Sequence, residues 1–123
     1  MILVDTSIWI DHLRQGDVEL SARLNACQVL AHPFVIGELA LGSLKNRDAI
    51  LAALRGLPQA QIATDEEVMG FISQEELYGL GIGYIDAHLL AAVRLTPDST
   101  LWTRDKRLLS VASRLGIAAN LAH

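Results

Sequence analysis

The chain begins with a short apolar run, Met1 to Val4, which gives way to Asp5, Thr6 and Ser7 and returns at once to Ile8 and Trp9. An apolar stretch with β-branched members, ended by residues that cap helices, predicts a buried strand handing over to a helix. That helix is SIWIDHLRQG, with Gly16 as its stop. ELSARLNAC reads as a second short helix and QVLAH as a second strand, after which Pro33 stands at the first turn of a helix in PFVIGELALGSL. Another helix follows in NRDAILAALRGL, bounded by Asn46 and by Gly56-Leu57-Pro58.

Further on, AQIAT is a weak strand candidate, and TDEEVMGFISQEELYGL reads as a helix whose Val68, Phe71, Ile72 and Tyr78 keep helical spacing. The last part of GLGIGYIDAHLLAAVRL is helical; after Pro97, STLWT is a strand, RDKRLLSVASRLG a helix ended by Gly116, and IAA a last short strand. Strands alternating with helices predict an α/β fold with a central, mostly parallel sheet covered on both faces. No repeat, linker or low-complexity stretch interrupts the pattern, so residues 1–123 are expected to form one domain.

Composition adds a partner to this picture. With 51% apolar residues in 123, the chain holds more than one core needs, and part of that surface is expected against another chain. No basic leader precedes the first apolar run, and no run approaches the roughly twenty residues of a membrane span, which predicts a cytoplasmic protein. The net charge of −4 argues against bulk adhesion to nucleic acid or anionic lipid, so any such contact must be local. Asp65, Glu66, Glu67, Glu75 and Glu76 share one segment and read as a solvated helix face, and the single Cys27 reads as a small buried hydrophobe.

Ligand sites in parallel α/β sheets form where strand ends hand over to helices, and Asp5 and Asp105 sit at two such hand-overs. Each alone is explained by helix capping. Asp86 and Glu38 change the balance. Ile82, Gly83, Leu89 and Leu90 surround Asp86 at helical spacing, and Phe34, Val35, Leu41 and Gly42 surround Glu38, which predicts carboxylates on buried faces. An unpaired buried carboxylate costs several kcal/mol, roughly, unless something offsets it. The bases nearest in sequence, Lys45, Arg47 and Arg94, share no clean helix face with either acid.

Convergence of Asp5, Glu38, Asp86 and Asp105 on a hard cation, Mg²⁺ or Mn²⁺, accounts for all of them, because such ions take oxygen ligands. Setting these acids aside leaves ten acids against ten bases, so the net charge is that of the proposed cluster. Thr6, Ser7 and Thr103 stand close enough in sequence to orient a carboxylate or a water, with capping as the alternative for Ser7. His12, His32, His88 and His123 lack metal-ligand spacing; His88, two residues from Asp86, lies on another face of the helix. Neither a Ser-His-Asp arrangement nor a glycine-rich phosphate loop is present.

Taken in order, DTSIWIDHLR, an isolated Glu38, DAHLLAAVRL and LWTRDKRL resemble the PIN-domain ribonucleases, and within them the VapC-type toxins of toxin–antitoxin pairs. The resemblance covers nearly the whole chain. It implies a three-layer α/β/α sandwich, a Mg²⁺- or Mn²⁺-dependent endoribonuclease, a homodimer, and inhibition by a small VapB-type antitoxin. Its acidic site falls on Asp5, Glu38, Asp86 and Asp105, with Thr6 or Ser7 and Thr103 as accompanying hydroxyls. Relatives often place an acid or histidine, then Phe, after the last aspartate; Arg107 and Leu108 stand there, which leaves a second metal ion unsupported.

Arg104, Lys106 and Arg107 are then the best-placed bases for the RNA backbone, with Arg14, Lys45 and Arg47 as second choices and ordinary surface charge as the bland alternative. A structured RNA with an exposed loop, such as a transfer RNA, is the expected substrate. Two other classes compete: a non-catalytic PIN-like binding module, and a phosphorylated receiver domain. The latter wants an acidic pair after the first strand and an acceptor Asp after the third, where this chain has Thr6-Ser7 and only Asp48 in polar KNRDA.

Overall fold

Strand β1 (Ile2–Val4) lies at the centre of a parallel sheet, with β2 (Val29–Leu30) on one side and β3 (Thr100–Trp102) on the other. Ile2 pairs with Val29 and with Thr100, and Val4 with Trp102. The computed structural model describes residues 1–122, so the predicted isolation of His123 lies outside the described residues. Single bridges, Ala31 to Gln59 and Leu101 to Ala118, widen the sheet at both edges. The expected strand IAA contracts to the single pairing of Ala118, and AQIAT forms none, the bridging Gln59 standing just before it. Pro58 offers no N–H to the ladder, and Ile62 is exposed, so that segment lacks the two-sided burial of an inner parallel strand.

The helices are α1 (Thr6–Gln15), α2 (Val18–Asn25), α3 (Pro33–Ala40), α4 (Arg47–Arg55), α5 (Asp65–Gln74), α6 (Tyr84–Leu95) and α7 (Lys106–Arg114). The chain moves outward from β1 through β2 to Gln59, then reverses to β3 and Ala118. Right-handed crossovers therefore put α1 to α4 on one face and α5 to α7 on the other. The packing agrees: α1 meets α3, α3 meets α4, and α5 meets α6. The order reverses between β1 and β3, which is where a doubly wound sheet opens its ligand crevice.

Leu3, Val4, Leu89, Leu90, Leu101 and Trp102 are buried in one hydrophobic cluster that runs from Ile2 to Ala119. Truncating any of its leucines to Ala costs about 2–5 kcal/mol. Local signals set the helix ends: Gly16, at φ 78°, closes α1, and Thr64 with Glu67 forms a reciprocal capping box on α5. Two expectations fail here. Helix α5 stops at Gln74, where the Leu77 N–H turns back to the Ile72 carbonyl, so Leu77 is buried and Tyr78 is exposed. Cys27 is exposed at φ 57°, because it makes the left-handed turn from α2 into β2 instead of packing inside. Among the described residues no helix is long and apolar enough to cross a membrane.

Candidate active site

Asp5 is only 6% exposed at the end of β1, and its carboxylate does not cap α1. Its Oδ2 accepts hydrogen bonds from Ser7 Oγ at 2.9 Å and from Thr103 Oγ1 at 2.7 Å. The β1–β3 pairing brings Thr103, the residue after Trp102, alongside Asp5, and the Asp5 N–H bonds the Trp102 carbonyl at 2.9 Å. Ser7 Oγ also accepts from the Arg104 N–H, so one hydroxyl ties the two strand ends together.

Capping does explain part of Asp105, whose Oδ1 accepts from the Arg107 and Leu108 N–H groups at the start of α7. Asp105 is exposed. Asp86 is half-buried in the first turn of α6 and accepts from the Gly83 N–H at 3.1 Å. Glu38 departs from expectation: it is exposed, because its helical neighbours Phe34 and Leu41 are themselves on the surface of an almost wholly apolar α3. It is nevertheless oriented, accepting from Thr6 Oγ1 at 2.7 Å.

Burial pushes the Asp86 carboxyl above the ordinary carboxylate range; the Gly83 hydrogen bond opposes this, while the charges of Asp5, Asp105 and Glu38 add to it. Two acids at strand ends on either side of the switch point, and one on α3, thus raise the carboxyl carried by α6. Among the described residues neither Glu38 nor Asp86 forms an ion pair, since Arg47 reaches Asp48 and Arg94 reaches Glu75. Nor are three His, Cys, Asp or Glu side chains among them gathered tightly enough to share one ion as they stand.

The bases sort into two groups. Arg23, Arg47, Arg94 and Arg104 face acids, whereas among the described residues Arg14, Lys45, Arg55, Lys106, Arg107 and Arg114 have none within ion-pair distance. Arg104 is the notable change from the sequence reading. Its guanidinium pairs with Asp11 of α1 and Asp17, the N-cap of α2, so it fastens those helices to the end of β3 and is not a free phosphate cation. Arg14 and Lys45 line a cleft of about 520 Å³ together with Glu38. Lys106 and Arg107 line a second groove with Ser110 and Arg114. The sequence reading overlooked these last two, although Lys106, Ser110 and Arg114 at four-residue spacing share one face of α7.

His88 is buried against Asp65, its Nε2 at 3.1 Å from Oδ1, away from the acidic cluster. His32 caps α3, its Nδ1 accepting from the Phe34 N–H at 3.0 Å. Asp48, the acceptor a receiver domain would need, is exposed on α4 and not at a strand end.

Residues 2–114 match the family model of the PIN domain. The chain is also similar to the protein called Ribonuclease VapC32 in two strains of Mycobacterium tuberculosis, CDC 1551 / Oshkosh and ATCC 25618 / H37Rv. It is 47% identical to each over 118 residues, which cover 96% of this chain and 95% of the relative. The chain therefore belongs to the PIN-domain family, among its VapC ribonucleases.

Proposed function

We propose that this protein is the endoribonuclease toxin of a VapBC-type pair, hydrolysing phosphodiester bonds of structured RNA with Mg²⁺ or Mn²⁺ held by Asp5, Glu38, Asp86 and Asp105. The observation that carries this reading is geometric: the Asp5 carboxylate, with Ser7 and Thr103 bound to one of its oxygens, lies buried at the end of β1 beside the end of β3 that leads into Asp105, and among the described residues no base forms an ion pair with Asp5, Glu38, Asp86 or Asp105. The donor set fits a hard cation, since it offers only carboxylate and hydroxyl oxygens. Because no three of these side chains are gathered tightly among the described residues, the ion would be bound directly by one or two of the carboxylates and reach the others through its waters, as Mg²⁺, which keeps several waters, commonly does.

A bound ion would supply Lewis-acid polarisation of the phosphate and a more acidic water. The chain's own residues supply position and charge. Ser7 and Thr103 both bond Oδ2 of Asp5, so Oδ1 is the oxygen offered to a cation. Thr6 donates to one oxygen of Glu38, and the backbone N–H groups of α7 hold Asp105. Lys106, Arg107 and Arg14 draw the phosphate backbone to an otherwise acidic molecule.

A homodimer and a VapB-type antitoxin would cover apolar side chains left on the surface, among them Leu41, Ile62, Met69 and Tyr84. A structured RNA with an exposed, unpaired loop, such as a transfer RNA, is the substrate class, and the cytoplasm the site of action. Incubating purified protein with total RNA and Mn²⁺ tests the reading. Defined fragments should appear with the wild type and fall by at least about a hundredfold with Asp5→Asn. Equal cleavage by both proteins would remove the assignment; RNA retention without cleavage by either would mean a binding module.

A further inference from the structure

The second groove, about 260 Å³ between Leu80 and α7, carries a charge pattern that the acidic centre does not explain. Lys106, Arg107 and Arg114 converge on it with the Ser110 hydroxyl, and among the described residues no carboxylate lines it. None of these cations has an Asp or Glu three or four residues away, in contrast to the Glu19–Arg23 pair on α2. Arg107 and Arg114 are also held in place. A Cβ on Gly81, whose φ is +78°, would lie 2.7 Å from Arg107 Nη1 and 2.8 Å from its Cδ, so the arginine rests in a notch that only glycine leaves open. Arg114 donates to the Glu75 carbonyl at 2.7 Å, which leaves most of its donors for a ligand.

Position gives the groove its meaning. It starts beside Asp105, the N-cap of α7, and its other wall leads through Gly81 and Gly83 into the turn that carries Asp86. Lys106, Ser110 and Arg114 form a stripe about 12 Å long at 1.5 Å per residue, longer than the roughly 3.4 Å of axial rise per phosphate along one duplex strand. On the opposite flank, Arg14 and Lys45 line the cleft that holds Glu38. Of the bases without an acidic partner among the described residues, only Arg55 lies outside these two flanks.

We propose that the α7 groove is a phosphate track for single-stranded RNA leaving the acidic centre, with Arg114, Ser110 and the Gly81-seated Arg107 as its contacts. This deepens the ribonuclease reading and rests on it. The track is tested apart from cleavage, in the Asp5→Asn background, by fluorescence anisotropy with a labelled single-stranded RNA across a salt series. Arg114→Gln and Ser110→Glu are compared with Arg55→Gln, and thermal melts verify folding. Arg114→Gln should weaken binding about three- to tenfold and lower the slope of log K against log salt by about 0.7, the loss of one phosphate contact on a single strand. Ser110→Glu should weaken binding at least as much, and Arg55→Gln should change neither quantity. Slopes and affinities equal to the Arg55→Gln control in both groove variants would overturn the track, as would intact RNA binding with weakened capture of a co-expressed antitoxin. Failure of the ribonuclease reading shows separately, as equal cleavage by wild type and Asp5→Asn.

Discussion

Thr103 Oγ1 donates to Asp5 Oδ2 at 2.7 Å across 98 residues of chain, a side-chain bond between the ends of the two strands on which the candidate site is built. Both groups are buried, so breaking the bond leaves a carboxylate short of a donor in a poorly solvated place. Thr103→Val keeps the shape and removes the donor. Stability should fall by about 1–3 kcal/mol, and cleavage by about 10–100-fold, while Thr103→Ser restores most of both. Urea melts beside RNA cleavage assays read the two effects; a harmless Thr103→Val would show that Asp5 needs no such support.

Asp86 gives a pH signature. Its folded carboxyl titrates above its unfolded value, so between those values the folded state binds the extra proton and stability declines as pH rises. Asp86→Asn keeps an acceptor for the Gly83 N–H and removes the titration. In EDTA at neutral pH its melting temperature should equal or exceed that of the wild type, with the advantage gone below about pH 4. A large drop instead would identify Asp86 as half of a structural ion pair.

His32 titrates in the opposite sense. Burial, with a smaller contribution from the charge of His88, lowers it to about 4 from 6.5, so the fold favours the neutral ring. The unfolded chain gains its proton first, and stability is lost as pH falls from about 6.5 to about 4, by about 3 kcal/mol for this group. His32→Asn, which can still accept from the Phe34 N–H, should flatten that part of the stability–pH curve in chemical denaturation. An unchanged curve would assign the acid sensitivity elsewhere.

Arg104 separates structure from substrate contact. Its pairs with Asp11 and Asp17 are half-exposed but mutually supporting, and the Asp17 carboxyl is held below its usual range by the Leu20 N–H first and by Arg104 after burial opposes. Arg104→Gln should cost about 2 kcal/mol of stability and leave the salt dependence of RNA binding unchanged. A reduced salt slope at full stability would return Arg104 to the RNA.

Asp5 and Asp105 were legible because the strand-to-helix hand-over is written locally, in a few consecutive residues. Asp86 was legible from its apolar neighbours, and it is half-buried. The same reasoning misjudged Glu38, since α3 is apolar on all sides and periodicity cannot tell which side faces water. Arg104 was beyond local reading, with partners 93 and 87 residues away. The segment IAA looks extended in sequence but lies at a sheet edge, where the one bridge at Ala118 suffices, and AQIAT follows the edge bridge at Gln59 without one of its own. Tyr78 was assigned to a helix that a left-handed Glu76 had already ended.

Asp5, Glu38, Asp86 and Asp105 are proposed here to share one divalent cation. A crystal soaked in Mn²⁺ and measured at the manganese absorption edge tests it most directly. An anomalous peak is expected among these carboxylates, lying against Asp5 Oδ1 and lost in Asp5→Asn crystals. A well-diffracting soaked crystal with no peak there, or with the peak retained after that substitution, would contradict it.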